Sequence, residues 1–199
     1  MKKFFLNFLI LLLLILTIFI VLLSTIGIET NRFNDLISKK INQSNENINI
    51  KLSDIEYKID LKEISLFLQT SDPTVNYRGI IIPVKKIKVF VDFFSIFKSE
   101  ARIKKINFLL NQLDIEQIKY ISNSFKPSNF TSFLKNKVKE GRLDTEIEVF
   151  FDNNNILDNF IAKGSISNLK TQIYKDLILE KTNFDFFADK TDILIKNVS

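Results

Sequence analysis

The sequence contains no histidine, no cysteine and no tryptophan, and only four glycines and three prolines in 199 residues. Without histidine or cysteine the chain lacks the commonest general base, the thiol nucleophile, the usual zinc ligands and the usual axial ligands of haem. Without cysteine there are also no disulfides, which leaves the redox character of its compartment open. Gly27, Gly79, Gly141 and Gly164 stand too far apart to form a phosphate-cradling loop. Carboxylates remain as possible catalysts, and Asp144, Glu146 and Glu148 would share one face of a strand. Like charges at period two fit a sheet face exposed to water, so no enzyme, cofactor or metal centre is expected.

Met1, Lys2 and Lys3 lead into an apolar run from Phe4 to Leu23, interrupted only by Asn7 and Thr17. At about 1.5 Å per residue such a segment matches the roughly 30 Å hydrocarbon core of a bilayer. It has no polar face, unlike the helix of a soluble core. Lys2 and Lys3 place the amino terminus on the cytoplasmic side by the positive-inside tendency, with the bulk of the chain exported. Thr25-Ile26-Gly27 loosely resembles a signal-peptidase site. The apolar core nevertheless exceeds the ~7–15 residues of a signal h-region and lacks an A-x-A end, so an uncleaved anchor is expected.

Three regions follow: an anchor at 1–28, a short amphipathic helix and linker at 29–46, and a β-rich exported domain at 47–199 with a helical insertion at about 117–140. In the second, Thr30 or Asn31 caps a helix with Phe33, Leu36, Ile37 and Ile41 on one face. Excluding Lys2 and Lys3, 26 cationic side chains stand against 23 acidic ones, a net of +3, and no localised basic stripe points to nucleic acid.

Beyond Asn47 the pattern has period two. Ile48, Ile50 and Leu52 alternate with polar residues, then the parity switches to Ile55, Tyr57 and Ile59, which calls for a bulge or tight turn near Asp54. Ile64, Leu66 and Leu68 form another strand, Val75 and Tyr77 a short one after the turn Asp72-Pro73, and Ile80–Val91 a longer one with Pro83 at an edge or bulge. Phe93–Phe97 reads as an apolar turn, followed by strands at Ala101–Leu110 and Leu113–Ile115. Helical spacing covers Gln117–Phe125 and Asn129–Lys139, with Gly141 as a helix C-terminus. Leu143–Phe151 is a strand. A meander of short strands at Phe160–Ile166, Thr171–Leu179, Asn183–Ala188 and Thr191–Val198 ends the chain without closing polar residues, as the first part of a longer β-structure would.

This order of elements resembles the amino-terminal region of the AsmA-like envelope proteins, the group that includes YhdP and TamB relatives. The resemblance rests on Val84-Lys85-Lys86-Ile87-Lys88-Val89-Phe90-Val91-Asp92, the turn Phe93-Phe94-Ser95-Ile96-Phe97-Lys98-Ser99 and the strand Ala101-Arg102-Ile103-Lys104-Lys105-Ile106. The segment Phe160-Ile161-Ala162-Lys163-Gly164-Ser165-Ile166, followed by Leu169, is similar to the repeated G-x-I strands of that group. The resemblance implies a mainly β fold with a few short helices, in which an N-terminal transmembrane helix precedes a curved, mostly antiparallel sheet. It implies a bacterial inner-membrane anchor, a periplasmic domain and an apolar groove along which phospholipid passes toward the outer membrane.

The residues expected to line such a groove are Ile48, Ile50, Leu52, Ile55, Tyr57, Ile59, Ile64, Leu66, Leu68, Ile87, Val89, Val91, Ile147, Val149 and Phe151. Partners would be the membrane, phospholipid acyl chains and other envelope proteins. Two alternatives stand beside this reading: a lipopolysaccharide-transport component similar to LptC, and a scaffold subunit that binds a partner through a sheet edge. The 20 phenylalanines fit an acyl-lined groove or a dense core equally.

Overall fold

The computed structural model describes residues 2–31, 34–35, 38–39, 42, 47–61, 65–92, 102–124, 126–152 and 156–199. Helix α1 (Lys2–Thr25) is exposed along almost its whole length. Its 23-residue stretch Lys3–Thr25 contains an 18-residue window of mean hydropathy 3.2 and is long and apolar enough to cross a membrane. The helix closes where the amides of Ile26 and Gly27 bond the Leu22 carbonyl at 2.9 and 3.0 Å, with Gly27 at a φ of +82°. The chain then enters β1 (Ile28–Thr30).

A large antiparallel sheet has the order β1-β3-β4-β7-β8-β10-β11-β12-β13. Its members are β3 (Ile55–Asp60), β4 (Ser65–Ser71), β7 (Val84–Val91), β8 (Ile103–Leu110), β10 (Val138–Phe151), β11 (Leu157–Tyr174), β12 (Leu177–Ala188) and β13 (Ile193–Lys196), with β9 (Leu113–Asp114) beside β10. A second sheet, β2-β5-β6, joins β2 (Ile48–Lys51), β5 (Thr74–Tyr77) and β6 (Ile80–Ile82). The β5–β6 hairpin turns through Arg78 and Gly79, both at positive φ, with the Gly79 amide bonded to Asn76 Oδ1 at 2.8 Å. Two consecutive left-handed residues match the twist of the flanking strands.

The fold is therefore mainly β, with an apolar N-terminal helix and a large antiparallel sheet. The parity switch near Asp54, where a bulge or tight turn was expected, is a change of sheet: β2 belongs to the small sheet and β3 to the large one, so residues 52–54 cross between layers. Pro83 marks a second crossing. The run Ile80–Val91 is not one strand but β6 and β7 in different sheets, because proline cannot donate to a ladder.

Helix α2 (Ile115–Ser122) starts at an N-cap, Asp114, whose carboxylate accepts from the Gln117 amide at 2.8 Å while Gln117 Oε1 accepts from the Asp114 amide at 3.0 Å. Ile115 is thus helical, not the end of a strand. Helix α3 (Asn129–Lys137) has the same device at Ser128 and Thr131. It stops at Lys137, two residues earlier than expected. Gly141, at a φ of +154°, lies inside β10 beside a register shift instead of ending a helix.

The final strands are long rather than short. β11 runs unbroken through Phe160–Thr171, its irregularities absorbed by register shifts near Ile166 and Leu169 and by Asn168 and Lys181 at positive φ. The expected strand Thr171–Leu179 spans the hairpin turn Lys175-Asp176. Of the helix expected after Thr30, residues 34–35, 38–39 and 42 are helical, while Phe33, Leu36, Ile37 and Ile41 lie outside the described residues, as do the turn Phe93–Phe97 and Ile64.

The core forms where the small sheet lies over the large one. Val75, Val84 and Ile87 are buried together, with Ile50, Ile82, Val89, Ile106, Phe108 and Leu110 packed around them. Asn42 ties the preceding segment to this layer by accepting from the Ile50 amide at 2.7 Å.

Candidate functional site

Residues directly opposite in an antiparallel ladder project from the same face of the sheet. Following the register across the large sheet, Ile55, Tyr57 and Ile59 pair with Thr70, Leu68 and Leu66, and these with Ile87, Val89 and Val91. Ile87 and Val89 pair with Phe108 and Ile106, which in turn oppose Ile147 and Val149. The row continues through Ala162 and Phe160 to Ala188, and through Gly164 and Ile166 to Phe186 and Phe184. It ends at Ile193 and Ile195, opposite Ala188 and Phe186. None of these side chains carries a charge, so one face of the sheet is apolar from β3 to the β13 edge.

The opposite face carries the charged side chains, interspersed with Leu109, Phe150, Ile161, Phe187 and Leu194. Gln69 Nε2 donates to Glu56 at 3.2 Å, Lys58 pairs with Glu56 at 2.6 Å, and Asn107 donates to Glu146. Lys163 bridges Glu146 at 3.3 Å and Glu148 at 3.0 Å. Burial would raise the Glu146 carboxyl, but the Asn107 amide and the Lys163 ammonium hold it below the usual glutamate range. Hydrogen bonding to Glu148 raises Lys163 against the opposing effect of burial, with Glu146 adding to the rise. Phe67 and Phe90 also lie on this side, ring centroids 5.3 Å apart, with Lys88 and Lys105 over them at 5.4 and 4.4 Å.

Asp144, Glu146 and Glu148 are therefore held by Gln112, Asn107 and Lys163, which occupies them structurally. Among the described residues no group of acidic side chains is arranged to hold a metal ion. A depression of about 470 Å³ is lined by residues including Glu140, Arg142, Lys170 and Glu180, with Lys170 and Glu180 paired at 2.9 Å.

The apolar face divides in two. Over β7 and β8 the small sheet covers it, and Ile87 is 6% exposed. Over β12 Phe184, Phe186 and Ala188 are half-buried, and at the β13 edge exposure rises, with Ile193 and Ile195 74% and 51% exposed. At β11 the face is floored by small residues: Ala162 opposes Ala188, and Gly164 opposes Phe186. An added Cβ at Gly164 would collide with the Asp144 carbonyl and approach Thr145 Cα to 2.9 Å, so only glycine fits.

Of the expected lining residues, Ile55, Tyr57, Ile59, Leu66, Leu68, Ile87, Val89, Val91, Ile147 and Val149 share this one face. Ile48 and Ile50 sit instead in the small sheet that covers it, and Leu52 lies in the crossing between layers. Phe151 stands at the end of β10, past a register shift. Sequence reading missed Ile106, Phe108, Phe160, Ala162, Phe184, Phe186 and Ile195. The signal was present in the alternations Phe160-x-Ala162-x-Gly164-x-Ile166 and Phe184-x-Phe186-x-Ala188. Comparison with family models, curated proteins and solved structures finds no match to this chain.

Proposed function

We propose that this protein is an AsmA-like component of the bacterial inner membrane, held by α1 with its amino terminus in the cytoplasm. Its periplasmic sheet receives phospholipid acyl chains on the uncovered half of its apolar face and takes part in lipid movement toward the outer membrane. The single observation that carries this reading is the uncharged face from Ile55 to Ile195, covered by a second layer over β7 and β8 and, among the described residues, uncovered at β13. A face meant only to pack a core has no reason to extend over β11, β12 and β13 without a covering layer, because exposed apolar area costs about 25 cal/mol per Å². The charged side chains lie on the other face, which leaves the uncharged face free to receive acyl chains.

The test is phospholipid retention by the full chain purified in a mild detergent. The wild type is expected to retain phospholipid after extensive detergent exchange, and Phe186→Asp and Ile195→Asp to lose it. Equal retention in all three proteins would sink the reading. A second reading, a scaffold that adds a partner strand at the open edge, is favoured by β13, whose four residues are exposed. It predicts a protein partner lost on substituting Ile195 by proline, with no retained lipid.

A further inference from the structure

The strand ends opposite α1 carry a second, independent surface. α1 enters the sheet at Ile28, paired with Tyr57, on the side where β10 ends and β11 begins, Phe151 opposite Leu157. From Leu157 to the tip pair Tyr174–Leu177, β11 extends by roughly 55 Å at ~3.3 Å per residue. The tip exposes apolar side chains around the charged turn Lys175-Asp176: Tyr174 is 72% exposed, Leu177 47% and Ile178 51%. Its backbone is closed by the Tyr174–Leu177 pair, and Gln172 Nε2 caps the turn on the Lys175 carbonyl at 3.2 Å.

Helix α3 lies beside this tip, since its successor Val138 pairs with Thr171, whose hydroxyl donates to the Lys137 carbonyl at 3.2 Å. Phe130 and Phe133 are exposed on it. From Lys126 to Lys139 the chain carries four lysines and no acidic residue. Exposed aromatic and aliphatic side chains beside an all-cationic segment fit an interface between acyl chains and anionic headgroups. The lysine stems lie along the apolar boundary while their ammonium groups meet phosphate. A closed hairpin can enter that boundary without orphaned backbone groups.

We propose that this distal end docks on an anionic bilayer surface other than the one that holds α1. Tyr174, Leu177, Ile178, Phe130 and Phe133 enter the interface, and Lys126, Lys135 and Lys137 meet the headgroups. The test holds the full chain in phosphatidylcholine nanodiscs, which occupy α1, and floats it with vesicles of equal parts phosphatidylglycerol and phosphatidylcholine. The loaded nanodiscs are expected to float with these vesicles, and not with pure phosphatidylcholine vesicles, while empty nanodiscs stay behind. The pairs Y174S/L177S and F130S/F133S are each expected to lower the floated fraction roughly tenfold. The triple variant K126Q/K135Q/K137Q changes only exposed or half-exposed positions and keeps the test valid should an apolar pair misfold; it too should stay behind. Failure of the wild type to float, equal flotation with neutral vesicles, or undiminished flotation of the folded variants would overturn the proposal. Phospholipid retention on the apolar face is measured separately, so loss of docking with retention intact leaves the lipid-binding reading standing.

Discussion

Gly164 shows how tightly β10 and β11 approach, with the Asp144 carbonyl and Thr145 Cα occupying the space a side chain would need. Gly164→Ala should therefore cost about 1–3 kcal/mol, the usual range for overpacking, read as a lower urea midpoint. An unchanged midpoint would mean that the two strands do not meet as described. Ionisable side chains on the polar face set a pH dependence. Glu146 is held lower in the folded chain than in the unfolded one, so its contribution is present above the ordinary glutamate pKa of about 4.3 and is lost as pH falls through the folded value. Lys163 is held higher, so its contribution is complete below about 10.4 and is lost as pH rises through the folded value. Glu146→Gln should flatten the acid limb of a thermal-stability profile; a profile that keeps the wild-type slope below pH 5 would contradict the ion-pair assignment.

At the scale of elements, α2 owes its start to the reciprocal bonds between Asp114 and Gln117. Asp114→Ala should cost about 1 kcal/mol and speed amide exchange in the first turn of α2; exchange at the wild-type rate would contradict the cap. That cap was legible as Asp-x-x-Gln, yet the apolar pair Leu113 and Ile115 outweighed it as a strand signal. Strand existence was largely legible from period two, and so was the apolar face of β3, β4, β7 and β10. What alternation could not convey was sheet membership. Ile50 and Ile55 both look inward, but one belongs to the covering layer and the other to the face it covers. The long β11 was hidden because its register shifts between Ile166 and Thr171 break the alternation locally while the hydrogen-bonded ladder continues.

Across the whole molecule, an exposed apolar helix, a covered half-sheet and an open half-sheet stand in sequence order. The two halves should differ in their response to the same change. Ile87→Ala removes packing between two layers and should cost about 2–4 kcal/mol, whereas Ile195→Ala on the open half should stay within about 0.5 kcal/mol. Comparable losses at both positions would mean that a layer also covers β13. The full chain should remain in the membrane pellet on alkaline carbonate extraction, because α1 is apolar on every side; its release would contradict the anchor.

Phe186 and Phe187 are neighbours on β12 that project to opposite faces, one over Gly164 on the apolar side and the other opposite Lys163 on the polar side. Replacing each in turn with p-benzoylphenylalanine in the full chain, illuminating membranes and weighing the adducts tests the central claim directly. Phospholipid adducts at position 186 and none at 187 are predicted. Adducts at both positions alike, or at neither, would contradict an acyl-chain site on the apolar face.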